Sequence, residues 1–244
     1  MKIDATNTHY RDLNRLIREA AHQSTRRLEL HNVFGQRYIG TNLAARTRID
    51  IFGTPGNDLG AFMDGPTIIV HGNAQDGCGN TMNDGRIVVE GRAGDITGLA
   101  ARGGNIFIRD DVGYRAGIHM KQYDGKRPAL VIGGAAQDFL GEYMAGGVIV
   151  VLGLTPRADK RHKASFIGTG MHGGVIFMRG PVNQRQLGEG VRIGQLDSKD
   201  RRLLARLVGE FAHLFDYDPQ EIMTSDFVKL TPMSLRPYGG LYAH

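Results

Sequence analysis

The chain has 244 residues and carries a net charge of +5 with its nine histidines neutral. Its one cysteine, Cys78, excludes an internal disulfide and a cysteine-based metal centre, and reads as a small buried hydrophobe. No apolar run reaches membrane-spanning length and no apolar leader opens the sequence, so the expectation is a cytoplasmic protein that does not insert into membranes.

Residues 1–27 predict a helix. Leu13, Leu16, Ile17, Ala20 and Ala21 recur at helical spacing and make one apolar face, suited to cap the end of something larger. Beyond residue 28 the chain repeats with a period of 19. Gly53, Gly72 and Gly91 recur at that interval; so do Gly60, Gly79, Gly98 and Gly117, and so do Leu30, Ile49, Ile68, Ile87 and Ile106. The 35 glycines, about double the usual share, belong mostly to this repeat and do not signal disorder. Each unit holds a short β-branched run between glycine clusters, which is strand chemistry. A chain that returns at this fixed interval to pair in register with its previous turn is a solenoid. The predicted class is mainly β: a single-stranded right-handed parallel β-helix over residues 28–180, of about seven coils, flanked by α-helices at both ends.

The period loosens after Arg109. Asp110 stands at the glycine place, and the next units start late, at Gly134 and then at Arg161. The extra chain predicts polar insertions over 121–128 and 153–160. Within the strands, alternation sends Ile49/Ile51, Ile68/Val70, Ile87/Val89 and Ile106/Ile108 inward. The residues pointing outward are Asp50, Ile69, Val88, Phe107, Val131, Val150 and Phe177, and all but the first are apolar. A solvated face reads polar, so this stripe predicts a cover, either the chain's own C-terminal helix or a partner.

Residues 181–197 read as a linker. Leu203, Leu204, Leu207, Val208, Phe211, Ala212 and Phe215 then trace the apolar stripe of a helix with Ser198 as candidate N-cap, and Asp218-Pro219 starts a second, short one. From Thr231 the prolines and the Gly239-Gly240 pair predict an extended arm with Tyr238, Leu241 and Tyr242, so residues 181–244 form a third region of helices and tail.

Candidate chemistry is sparse. Gly168-Thr-Gly170-Met-His-Gly173 fits the dinucleotide pattern of glycines, but a strand follows where a nucleotide site needs a helix. His71, His119 and His172 sit at different offsets in their coils, without metal-ligand spacing, and His162 falls in a basic loop. Asp76, Asp84, Asp95 and Asp110 do not stack into a cluster of acids on one face. The expectation is therefore no catalytic, cofactor-binding or metal-binding residue in this chain. Basic residues are scattered among acids, which favours a solvated surface or acidic partner proteins over nucleic acid.

Several stretches carry a family resemblance. Leu30–Gly35, Phe52–Phe62, Asn80–Val89, Glu142-Tyr-Met-Ala-Gly-Gly147 and Gly168–Gly174 resemble the GXGXG domain, the β-helix that ends the large subunit of glutamate synthase. The Glu-Tyr-Met tripeptide is the most specific, because the repeat itself does not demand it. The chain is similar to a free-standing version, where amidotransferase, GXGXG and synthase parts are separate polypeptides. The resemblance implies a non-catalytic scaffold that joins a glutamine amidotransferase subunit to a synthase subunit carrying FMN and an iron–sulfur cluster, in ammonia assimilation and glutamate biosynthesis. It implies no cofactor on this chain; in isolation the chain could still form a homo-oligomer. The same module occurs in a formylmethanofuran dehydrogenase subunit and would serve an N-methylglutamate synthase. A carbohydrate-active β-helix enzyme is the alternative of another class, and it requires clustered acids.

Overall fold

A computed structural model describes residues 1–155 and 162–235. One sheet of eleven strands runs the length of the molecule in the order β1-β2-β3-β4-β5-β6-β7-β8-β9-β11-β10. The rungs are β1 (Lys2–Asp4), β2 (Arg27–Phe34), β3 (Arg48–Thr54), β4 (Asp64–His71), β5 (Asp84–Val89), β6 (Asn105–Ile108), β7 (Ala129–Ile132), β8 (Ala145–Val151) and β9 (Gly173–Arg179). All are parallel, and each pairs with the next. The register follows the repeat: Ile49 lies beside Ile68, Ile68 beside Ile87, and Ile87 beside Ile106.

The solenoid has about six complete turns rather than seven. The glycine corner recurs from Gly40 to Gly168, and the chain before β2 and after β9 is used for capping rather than for further coils. At the beginning, β1 adds a parallel rung to β2, and helix α1 (Tyr10–His22) lays Leu13, Ile17, Ala20 and Ala21 onto the open end of the interior. Residues 1–27 thus contribute a strand as well as the predicted helix. At the other end, 181–197 is more than a linker. It forms a 3-10 turn at Gln184–Gln186 and strand β10 (Val191–Gly194). The chain then returns as β11 (Phe227–Pro232), antiparallel to both β9 and β10, and closes the sheet.

The interior is built from columns. The inward strand residues stack from Leu28 and Leu30 to Ile176 and Met178, each 2% exposed or less. Met63, Met82, Met120, Met144 and Met171 make a second column just past the glycine corners, where a flexible thioether fills an irregular gap. Gly79 shows what the corner needs. Its φ is +73°, and a Cβ there would sit well inside contact distance of the Ile106 side chain on the next rung.

The outward stripe is covered by the chain itself. Helix α2 (Ser198–Phe215) packs Leu204, Leu207, Val208, Phe211 and Ala212 on Phe107, Val131, Val150 and Phe177 in a second apolar core. Phe107 is buried beneath it, Val88 one rung earlier is also buried, and Ile69, nearer the start, is half-buried. At Gly133 there is no room for a side chain: a Cβ would run into the Arg109 carbonyl on the neighbouring rung and into the Phe211 ring of the cover. Arg86 of β5 reaches the helix and pairs with Glu210 at 3.0 Å. The N-cap of α2 is Asp197, one residue before the expected Ser198; its carboxylate accepts from the Lys199 and Asp200 N–H groups, and Asp200 bonds back to complete a capping box. Asp218 caps helix α3 (Pro219–Met223), with the proline in the first turn.

Where α2 stops covering the sheet, the outward face turns polar and ties itself together. Asp50, fully buried, is bound bidentately by Arg48 at 2.7 and 2.9 Å and by Arg27 at 2.9 Å. One column along, Phe52 is sandwiched between His31 and His71, and His71 reaches Glu90 at 2.9 Å. Burial by itself pushes the Asp50 carboxyl up, but the hydrogen bonds and charges of Arg48 and Arg27 outweigh it and hold the group below its ordinary value of 3.8. A carboxyl with a lowered folded pKa contributes stability above its unfolded pKa and loses it as pH falls through the folded one. Urea unfolding of the wild type is therefore expected to weaken from about pH 4 downward, more steeply than in Asp50→Asn. The substitution leaves two half-exposed arginines underpaired, so it also lowers stability at pH 7, by about 1–2 kcal/mol. Parallel acid limbs in the two proteins would contradict this assignment.

The insertion at 121–128 is a loop pinned by a Tyr123–Lys126 bridge. The second expected insertion lies outside the described residues from position 156 onward, as does the tail with Tyr238, Leu241 and Tyr242.

Candidate partner-docking ridge

Each coil turns its corner through left-handed backbone at alternate positions, on either side of the inward glycine. The outer columns read Tyr38, Asp58, Gly77, Ile96, Arg115, Phe139, Phe166 and Asn42, Phe62, Thr81, Ala100, His119, Tyr143, Gly170, all with positive φ. Glycine, asparagine and aspartate adopt this conformation at little cost; a bulky side chain there is an outlier. Bulky residues stand singly at Tyr38, Phe62 and Ile96, but between Arg115 and Phe166 they follow one another in both columns, at φ values between 52° and 63°.

Those side chains assemble into one ridge. Phe139 and Phe166 stack at 4.9 Å between centroids, and the Arg115 guanidinium lies 4.7 Å over Phe139. In the neighbouring column, His119 and Tyr143 stack at 5.3 Å. Gly170 continues that column without a side chain, because a Cβ would press on the Tyr143 ring at 2.5 Å. Phe166 is 53% exposed and Tyr143 37%. The structure also explains the Glu-Tyr-Met tripeptide. Glu142 is buried and ion-paired with Arg115, Tyr143 stands on the ridge, and Met144 fills the interior column. The sequence alone marks these three residues as specific without giving a role to any of them. The signal that could have located the ridge was the replacement of Gly, Asn and Asp by rings at two fixed offsets.

The other sequence candidates fall elsewhere. The Gly168–Gly173 pattern runs straight into β9, as expected. Cys78 is fully buried, and burial pushes its thiol up to about 12, far from a nucleophile. His172 faces its own Gly170 carbonyl, and the His162 ring meets the Arg179 carbonyl at 2.8 Å. Among the described residues no group of three or more His, Cys, Asp or Glu is arranged to hold a metal ion. Asp76 and Asp95 do stack, one coil apart, contrary to expectation. Their carboxylates accept the backbone N–H groups of Asp95 and Tyr114 at 2.9 and 2.8 Å. Asn73, Asp111 and Asp138 repeat the arrangement. These are rungs of a structural ladder that ties coil to coil, not an acid–base pair.

The GXGXG motif model matches residues 23–233. The chain belongs to the GXGXG family. This GXGXG protein is 50% identical to an uncharacterized protein of Methanocaldococcus jannaschii, over 98% of this chain and 95% of the relative. No helix among the described residues is long and apolar enough to cross a membrane.

Proposed function

We propose that this GXGXG protein is a scaffold subunit of a glutamate synthase-like complex, holding a glutamine amidotransferase subunit beside a synthase subunit that carries FMN and an iron–sulfur cluster. The observation that carries the reading is that the GXGXG module makes up most of the chain, from residue 23 to 233. In glutamate synthase the same module is joined to the catalytic parts within one polypeptide; as a separate chain it would meet them through its surface. Asp76, Asp95, Glu142 and the His71–Glu90 pair are engaged in ladders and ion pairs that hold the coils together. The ridge supplies a rigid, exposed aromatic surface of the kind that anchors protein interfaces.

The test is purification from the native cell through a tag on this chain, with mass spectrometry of what accompanies it and a visible spectrum of the eluate. A glutamine amidotransferase together with a yellow-brown flavin and iron–sulfur subunit is the expected outcome. Pterin-containing molybdenum or tungsten subunits would move the assignment to formylmethanofuran chemistry. A colourless chain that elutes alone would remove the scaffold reading.

A further inference from the structure

We propose that the ridge of Arg115, Phe139, Phe166, His119 and Tyr143 docks a partner protein through an acidic surface, one in which carboxylates flank an apolar side chain. The inference deepens the scaffold reading and rests on it for the existence of a partner, not for the place or chemistry of contact.

Three observations lead there. The first is strain. Phe139, Tyr143 and Phe166 hold left-handed backbone, at a cost of about 1 kcal/mol or more each, in columns that Gly77, Asp58 and Asn42 occupy more cheaply; Tyr38 and Phe62 bear the same cost singly, but only here, among the described residues, do such rings stack on one another. Bulky rings kept at such positions and exposed to water do nothing for the interior.

The second is which part of each ring is available. Ring faces are consumed by stacking along the coil axis: Phe139 lies between Arg115 and Phe166, and Tyr143 between His119 and the backbone of Gly170. What points outward is ring edge. A nucleic-acid platform offers ring faces to bases, and this ridge has too few to spare. Ring edges carry the positive end of the aromatic quadrupole and suit carboxylate or carbonyl oxygen.

The third is charge. Most carboxylates of these coils are turned inward or engaged: Glu142 is buried against Arg115, half-buried Asp138 accepts the Ser165 N–H, Asp111 accepts the Ala135 N–H and Asp110 pairs with Arg109, while Asp124 stands exposed in the loop after Lys121. Beside the rings, the outward donors are His119, Lys121, Lys163 and the part of the Arg115 guanidinium left over from its pair with Glu142. The whole chain is also basic, at +5. An acidic counterpart complements this surface and a basic one is repelled.

The test titrates the full chain with three fluorescein-labelled probes: a peptide of Glu-Glu-Phe-Glu-Glu-Leu repeats, the same peptide with Lys for Glu, and a uridine homopolymer. Anisotropy is expected to rank the acidic peptide first. In Phe166→Gly/Tyr143→Gly its Kd should rise about tenfold or more. Glycine suits both backbone conformations, so this variant stays folded, and Phe34→Ala, at an exposed position far along the chain, should bind as wild type. Equal or tighter binding of the lysine peptide or the RNA, or an unchanged Kd in the double variant, overturns the proposal. In the complex recovered from cells, hydroxyl-radical footprinting should protect Phe139, Tyr143 and Phe166. A complex that assembles with the ridge unprotected overturns the ridge and leaves the scaffold. If no complex forms, the scaffold reading fails and the peptide titration still decides the ridge.

Discussion

Replacing Phe211 by alanine is expected to cost about 3–5 kcal/mol in urea unfolding, among the largest effects of any single truncation in this chain. The ring is fully buried at the centre of the second apolar core, seated over Gly133 and edge-on to Phe215. Its loss leaves a cavity that the backbone at Gly133 cannot fill. The damage is also specific in place. The parallel rungs keep their own interior columns, so the first thing to open is α2, exposing Phe107, Val131, Val150 and Phe177. Dye binding to exposed apolar surface should therefore rise at urea concentrations where strand circular dichroism is still native. Simultaneous loss of both signals in Phe211→Ala would mean that α2 and the coils unfold as one unit. Phe34→Ala, at a ring 90% exposed, is the control and should lie within about 0.5 kcal/mol of wild type.

Gly79→Ala is the second large effect, expected at about 2–4 kcal/mol from two combined penalties: a left-handed residue gains a Cβ, and that Cβ collides with the Ile106 side chain. The collision is with Cδ1, so it can be relieved selectively. Ile106→Val removes that atom and alone costs about 0.5–1.5 kcal/mol. The double variant Gly79→Ala/Ile106→Val is expected to be more stable than the sum of the singles by about 1 kcal/mol or more. Additive losses would show that the backbone conformation, and not the neighbour on the next rung, forbids a side chain at Gly79.

The contrast between these two sites explains what the sequence made legible. The rungs could be read in advance because one constraint repeats: each coil presents the same inward residues and the same corner glycine, so Ile49, Ile68, Ile87 and Ile106 announce one another. The cover could be read because the outward stripe was apolar where water would demand otherwise, and α2 carried the matching face. Reading failed where structure comes from pairing between distant segments. Strands β1, β10 and β11 are short and carry no repeat; they exist because the ends of the sheet must be closed. The Asp76–Asp95 ladder was missed because its carboxylates bond to backbone N–H groups one coil on, an arrangement with no residue-type signature of its own. The ridge was harder to read because only the recurrence of rings at two fixed offsets, and no glycine, marks the positive φ there.

The parallel stack also makes this molecule a measure of distance. Each coil advances the axis by about 4.8 Å, so the number of repeats fixes how far apart two objects held at its ends can be. Interior columns pass from rung to rung without reference to the total, so whole repeat units can be gained or lost with every column kept in register. Helix α2 sets the exception. It spans rungs β5 to β9 as one rigid bar, pinned at Arg86 and seated on Phe177, and a unit inserted beneath it would pull its apolar side chains off their seats. Length is thus free to vary before β5 and locked after it, so a lineage that needed a different spacing would change it in the early coils.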